Sequence, residues 1–165
     1  MEQYKKIKEF PNYGVSVLGE IKNLKTDKIL KQRNDKYGYK RINLYVNSKM
    51  KVIHVHKLVA NAYLEKIENK NLIDHIDNNK ANNCLENLRF CNASENTRNS
   101  KLSSKNTSGI RGVSLHKKTN KYVARIYYDN KHKHIGYFDS LEEAKIARQT
   151  KSREIYGEFQ NACER

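Results

Sequence analysis

Asn71-Leu-Ile-Asp-His-Ile-Asp-Asn-Asn-Lys80, continuing as Ala81-Asn-Asn-Cys-Leu-Glu-Asn-Leu-Arg-Phe-Cys91 and closing at Asn92-Ala-Ser-Glu-Asn96, is the stretch whose reading decides the fold. It opens on a short apolar strand that ends in a carboxylate and an imidazole, Asp74 and His75. A turn dense in Asn and Asp follows, because such side chains bond their own backbone and tolerate left-handed conformations. Asn87-Leu-Arg-Phe90 then runs back as a second short strand. Asn92 or Ser94 offers the short side-chain oxygen that caps a helix carrying Asn96. The expected product is a strand-turn-strand-helix unit with Asp74, His75, Asn87 and Asn96 on one face.

These residues resemble the HNH nuclease motif, the ββα-metal finger, in the subgroup of phage and intron homing endonucleases where an Asn replaces the last His. The resemblance implies that His75 is the general base and Asn87 the middle Asn, which holds the turn and orients His75. It implies that Asp74 and Asn96 are metal ligands. Phosphodiester hydrolysis asks for these types. A water must lose a proton near neutral pH, and an ordinary imidazole titrates near ~6.5. Positive charge is needed on the scissile phosphate and the departing oxygen, which a cation supplies. A carboxylate and an amide oxygen are hard ligands suited to Mg²⁺ or Mn²⁺. An EF-hand reading, which Asp77 and Asn79 would begin, fails. Ala81 stands where the third ligand belongs, Asn82 where the turn Gly belongs and Leu88 where the Glu belongs.

Working outward, the 165 residues carry net charge +15. Residues 1–55 hold 13 basic and 5 acidic groups, residues 56–100 hold 6 of each, and residues 101–165 hold 14 and 7. The whole excess therefore flanks the central stretch. A polyanion would be gripped on both sides while the centre keeps carboxylates for a cation, and nucleic acid is the partner this favours. No apolar run approaches the ~18 residues of a membrane span, and no basic helix with a broad apolar face suggests a membrane surface. The N-terminus lacks the apolar core of a secretion signal. Three cysteines (Cys84, Cys91 and Cys163) make no disulfide framework or C-x-x-C zinc pair and read as reduced thiols. Together these point to a cytoplasmic protein that is not secreted.

Upstream, residues 1–52 read as short strands and turns. Glu9 to Val17, Leu18 to Leu24 and Tyr37 to Tyr45 each alternate, with Tyr39, Arg41, Asn43 and Tyr45 on one side of the pleat and Lys40, Ile42 and Leu44 on the other. Pro11-Asn-Tyr13, Val15-Ser16 and Gly19-Glu-Ile21 resemble the NUMOD4 module that precedes HNH motifs, which implies DNA contact, with Lys40 and Arg41 as candidates. Residues 53–100 hold the nuclease motif. There Leu58, Val59, Ala62 and Tyr63 fall on one helical face. His54 and His56 stand outside the catalytic set, as structural or DNA-facing residues, and Arg89 and Arg98 are candidate DNA contacts.

Residues 101–108 are small, polar and aperiodic, and read as a linker. In 109–165, three strands (Gly109–Ser114, Tyr122–Tyr128, His132–Phe138) precede a helix opened by the capping box Ser140-Leu-Glu-Glu143, with Leu141, Ala144, Ala147 and Ile155 as its apolar stripe. Asp129-Asn130 make the turn between the last two strands. Arg111-Gly-Val113, Tyr122-Val-Ala124, Ile135-Gly-Tyr-Phe-Asp139, Glu142-Glu-Ala144, Tyr156-Gly-Glu-Phe159 and Asn161 resemble the AP2 DNA-binding domain. That resemblance implies a sheet in the major groove and contacts from Arg111, Lys117, Lys121, Arg125 and Lys133. Ser114, Tyr127 and His134 depart from the plant members, so it does not imply their target sequence.

The expected fold is α+β: a small N-terminal β-rich module, a ββα-metal finger, a linker, and a C-terminal three-stranded antiparallel sheet packed on one helix. The expected function is a homing-type, Mg²⁺- or Mn²⁺-dependent endonuclease acting as a monomer on double-stranded DNA, in a bacterial host's cytoplasm if phage-encoded. The alternatives are a non-cleaving regulator that binds DNA through the AP2-like domain, and an RNA-binding protein using its 11 tyrosines.

Overall fold

The alternating runs of the N-terminal third form two small antiparallel sheets in a computed structural model, which describes residues 3–100, 102–129 and 131–157. The first sheet orders β1 (Lys5–Ile7), β2 (Phe10–Val15) and β3 (Ile21–Asn23). The second orders β4 (Arg33–Asn34), β5 (Lys40–Val46) and β6 (Lys49–His54). Alternation in β5 is plain, with Ile42 and Leu44 buried and Arg41, Asn43 and Tyr45 exposed. The β5–β6 hairpin turns on Asn47 and Ser48, both at positive φ (49° and 61°), the backbone that matches a two-residue turn to strand twist.

β6 runs straight into α1 (Val55–Tyr63), which buries Val55, Leu58 and Val59. After a polar connection come β7 (Leu72–His75), a 3-10 turn (Leu85–Asn87), β8 (Leu88–Cys91) and α2 (Ala93–Asn99). β7 and β8 pair antiparallel, Asp74 opposite Arg89 and His75 opposite Leu88. One core joins most of these, β4 and α2 aside: Ile7, Phe10, Tyr13, Val15, Ile21, Ile42, Leu44, Val55, Leu58, Val59 and Leu88 pack together, with Ile53, Ile73 and Leu85 against them. The segments read from sequence as 1–52 and 53–100 thus share a single apolar interior. The chain divides after Thr97, into units 1–97 and 98–165.

In the second unit, β9 (Val113–His116), β10 (Lys121–Tyr128) and β11 (Lys131–Phe138) form an antiparallel sheet with β10 in the middle, and α3 (Leu141–Tyr156) packs on it. Val113, Ala124 and Ala144 centre its small core, with Tyr122, Ile135, Phe138 and Leu141 against them. The Gly112 carbonyl accepts from Arg125 N at 2.7 Å beside a register shift in β10. A Cβ on Gly112 would stand 2.3 Å from the Arg125 carbonyl oxygen, so only glycine fits there. Ser140 caps α3 by accepting from Glu143 N at 3.2 Å. The buried face of α3 continues from Ala144 through Arg148 and Ser152 to Tyr156, so two polar side chains complete a stripe expected to be apolar.

The segment read as a linker is tied down at its end. Ser108 Oγ donates at 2.7 Å to the Val113 carbonyl, and Asn106 Nδ2 at 2.9 Å to that of Ile110. Lys101 of that linker, Asn130 of the expected turn, Glu158, Phe159 and Asn161 of the AP2 resemblance, and Cys163 lie outside the described residues.

Candidate active site

Asp74 and His75 stand at the end of β7, both buried. The turn after them is built by amides and carboxylates bonding backbone, as short polar side chains do. Ile76 N donates to the Asn87 carbonyl at 2.9 Å and Asn78 N to that of His75 at 2.9 Å. Asn87 staples the two ends of the turn. Its Oδ1 accepts from Asp77 N (3.0 Å), and its Nδ2 donates to Asp77 Oδ1 (2.9 Å) and to the Asn82 carbonyl (2.9 Å). Asn82 Nδ2 meets the other Asp77 oxygen at 2.8 Å. Partial burial raises the Asp77 carboxyl, but the bonds from Asn82, Asn79 and Asn87 and the nearby His75 outweigh it and hold the group below its ordinary value.

The side chain that meets His75 is not Asn87, expected to orient it, but Asn83, whose Oδ1 lies 3.1 Å from His75 Nε2. His56 packs edge-on to His75, ring centroids 5.1 Å apart, and stacks on His54 at 5.4 Å. Tyr39 touches all three rings, and Lys80 Nζ lies 4.6 Å from its centroid. His54 Nε2 is 3.0 Å from Asp35 Oδ2. Burial raises Asp35, but His54 and the Tyr39 and Tyr37 amides bring its carboxyl below the ordinary value. Burial, then the charges of His75, His54 and Lys57, push His56 down to about 3, so it is a neutral ring at physiological pH. His56 Nδ1 is buried without a hydrogen-bond partner among the described residues. His56 is thus part of the packing around His75. Asn83 and Tyr39 carry no local sequence signal that ties them to His75. The one sequence signal was His54-x-His56 at the junction of an alternating run and a helix.

On Asp74, Arg89 sets two nitrogens against Oδ2, Nε at 3.0 Å and Nη2 at 2.8 Å. Cross-strand pairing of Asp74 with Arg89 places them so. Arg89, expected to face DNA, is therefore turned onto the carboxylate with its side chain only 13% exposed. Asn92 starts α2 with a reciprocal capping box: its Oδ1 accepts from Glu95 N and its N donates to Glu95 Oε2, each at 2.9 Å. Lys70 Nζ holds the other Glu95 oxygen at 3.0 Å. Asn96 is exposed on that helix. Cys91 is buried beside Asp74 and Glu95. Burial first and those carboxylates next push its thiol up to about 11, so it packs as a neutral thiol.

Among the described residues, no three or more His, Cys, Asp or Glu side chains gather to enclose a metal. The donors present fit a cation that keeps most of its ligands as water and substrate oxygen, as Mg²⁺ and Mn²⁺ do. Asp74 offers a buried carboxylate that Arg89 holds through two nitrogens on Oδ2.

Of the candidate DNA contacts, Arg41, Lys117, Lys121, Arg125 and Lys133 are exposed and Lys40 is half-buried. Lys121 pairs with Asp139 at 3.0 Å, and Lys133 lies 4.9 Å from the Tyr128 ring centroid. Arg98 sits over the Tyr156 ring at 4.7 Å. Arg111 donates to the Ser100 carbonyl, with its Nε buried. Arg98 and Arg111 thus work within their own unit. Arg125 with His134 and Tyr127 with His132 are cross-strand pairs of exposed residues on the C-terminal sheet.

Two family models match the chain: the NUMOD4 motif over residues 2–45 and HNH endonuclease over residues 53–98. The chain is 40% identical over 74 residues to DNA endonuclease I-HmuI of Bacillus phage SP01, covering 44% of this chain and 42% of that protein. It is 31% identical over 77 residues to H-N-H endonuclease F-TflII of Escherichia phage T5, covering 46% and 40%. It is 37% identical over 73 residues to the uncharacterised HNH endonuclease L245 of Acanthamoeba polyphaga mimivirus, covering 44% and 22%. The matches thus span less than half the length of these curated relatives. Among solved structures, one of DNA binding and cleavage by the HNH homing endonuclease I-HmuI superposes with TM-score 0.55 at 30% identity, covering 92% of this chain and 82% of that one.

Proposed function

The chain belongs to the HNH homing endonucleases, and from that premise we propose that it is a DNA endonuclease, hydrolysing phosphodiester bonds of duplex DNA after sequence-preferential binding. The observation that carries the reading is the buried Asp74–His75 pair at the end of β7, closed over by a turn that Asn87 staples to both of its ends. His75 takes the proton of a water that attacks the scissile phosphorus in line, leaving a 5′-phosphate and a 3′-hydroxyl. Asp74 and Asn96 would hold Mg²⁺ or Mn²⁺, which when bound neutralises the charge on the phosphate and the departing oxygen. Arg89 keeps the Asp74 carboxylate in one orientation. Asn87 works through the turn and not on the reacting atoms.

Binding is shared in this reading. Arg41 with Lys40 in the first unit, and Lys117, Lys121, Arg125 and Lys133 in the second, contact DNA, the C-terminal sheet serving as an AP2-like reader. Arg125 stands among exposed Tyr127, His132 and His134, a surface able to offer both charge and planar rings to nucleic acid. The protein acts as a monomer in the host cytoplasm, and one finger cuts one strand per visit. No helix among the described residues is long and apolar enough to cross a membrane.

The test is a nicking assay on supercoiled DNA carrying candidate sites, with Mg²⁺, Mn²⁺ or EDTA. Wild type is expected to give metal-dependent relaxed product. His75→Ala is expected to lose at least about a hundredfold in rate while binding the same DNA. Equal cleavage by the two would refute the role of His75. No cleavage of any DNA that the protein binds would return the chain to the class of non-cleaving DNA-binding regulators.

A further inference from the structure

His75 can serve as a base only through a nitrogen that carries no proton, and the fold has a device that selects which one. Asn83 is buried, as His75 is. Its Nδ2 donates to the Ala81 carbonyl at 3.3 Å, so its Oδ1 is the atom turned to His75 Nε2, 3.1 Å away. An amide oxygen only accepts, so Nε2 carries the hydrogen and Nδ1 carries the lone pair.

The backbone bearing Asn83 is clamped on both sides. On one side, the Asn82 carbonyl accepts from Asn87 Nδ2 at 2.9 Å. On the other, Leu85 N donates to the Val17 carbonyl at 2.7 Å. Val17 belongs to the turn 16–20 between β2 and β3, which is itself locked. Ser16 is fully buried, its N donates to the Glu20 carbonyl (3.0 Å), its own carbonyl accepts from Gly19 N (3.1 Å), and its Oγ accepts from Glu20 N (3.2 Å). Gln32 Nε2 adds a bond to the Gly19 carbonyl at 2.7 Å. Gly19 faces Asn83 directly. A Cβ there would lie 3.0 Å from both the Cβ and the carbonyl oxygen of Asn83, and its φ of +83° disfavours any side chain in its own right.

We propose that Asn83 is a positioning residue that holds His75 as the Nε2–H tautomer, so that Nδ1 takes the proton from water, and that the turn 16–20 presses Asn83 into that position through Gly19. The N-terminal module then contributes to the chemical step as well as to binding. The inference rests on the nuclease reading for its consequence in rate, but the tautomer is measured without reference to activity.

The experiment uses the full chain with ¹⁵N-labelled histidine. Long-range ¹H–¹⁵N correlations of neutral His75 report the tautomer, and cleavage kinetics and DNA affinity are measured beside them. Wild type should show Nε2–H. Asn83→Ala should give a mixture of tautomers and lose about ten- to a hundredfold in kcat, the usual cost of removing an orienting partner, with DNA affinity unchanged. Asn83→Asp, which keeps an acceptor at the same place, should restore the Nε2–H form and most of the rate. Gly19→Ala should move His75 toward the Asn83→Ala spectrum while its melting shows a folded protein. A wild type in the Nδ1–H form overturns the inference. So does an Asn83→Ala protein whose tautomer is unchanged, whatever its rate. A wild type in the Nε2–H form that cuts no DNA it binds overturns the nuclease reading instead.

Discussion

Replacing Arg89 by Leu separates two accounts of the same residue. If Arg89 served mainly to grip DNA, its loss would cost affinity and leave stability within about 0.5 kcal/mol, as surface substitutions do. In the structure it instead sets Nε and Nη2 on Asp74 Oδ2 at 3.0 and 2.8 Å, with side chains 13% and 6% exposed. Stripping one partner from a buried pair costs ~3–5 kcal/mol, because the remaining charge stays out of water. The residual exposure of Arg89 puts the expected loss at the low end, about 3 kcal/mol. With a urea slope of about 2 kcal/mol/M, the midpoint should fall by about 1.5 M in EDTA. Asp74→Asn in the Arg89→Leu background should recover part of that loss, since the stranded charge is gone. Mn²⁺ should rescue Arg89→Leu more than wild type, because a cation on Asp74 no longer faces a guanidinium and ligand binding to the folded state adds stability by mass action. A loss under about 1 kcal/mol, together with weakened DNA binding, would refute the reasoning.

His56 is held near a pKa of about 3 against an ordinary 6.5. The unfolded chain therefore binds a proton below pH 6.5 that the folded one refuses, and the stabilisation is full above that pH and is lost as pH falls toward 3. Urea midpoints should decline over that window, by at most about 1.4 kcal/mol per pH unit from this group. His56→Phe, which keeps a ring against His75, should flatten the decline. Cys91, raised from 9.0 to about 11, should react with iodoacetamide about a hundredfold more slowly at pH 8 than an ordinary thiol, as read by mass spectrometry under native conditions. Arg125→Ala with Lys133→Ala should weaken DNA binding and reduce the salt slope by about 2. Arg111→Ala should instead lower the stability of the C-terminal unit, seen by denaturation.

What the chain announces in advance follows from periodicity and turn chemistry. Ile42 and Leu44 against Arg41 and Asn43 specify a half-buried strand, and Ser140 with Glu143 a helix start, because each signal is local. The strand-turn-strand-helix unit was legible for the same reason, since one continuous stretch, Leu72 to Asn99, builds it. Less visible was the direction in which long side chains turn. Arg89 reads as a surface cation until its strand partner is known to be Asp74. Arg148 and Ser152 stand outside the apolar stripe expected of α3, yet the helix buries them. Arg98 and Arg111 count toward a basic surface, although Tyr156 and the Ser100 carbonyl occupy them.

The neighbours of His75 were hidden for a different reason, which bears on how the site is built. Tyr39, His54 and His56 lie 36, 21 and 19 positions before it, and the turn that backs Asn83 lies further still. None shares a periodicity with the motif, so no window along the chain unites them. They meet because α1 and Leu88 share one core with the two N-terminal sheets. A finger cut free at residue 53 would keep Asp74, His75, Asn87 and Asn96. It would lose Tyr39 from beside His75, Asp35 from His54 and Gly19 from behind Asn83. The first two sheets therefore complete the surroundings of His75, and a boundary drawn at residue 53 runs through the middle of the candidate site.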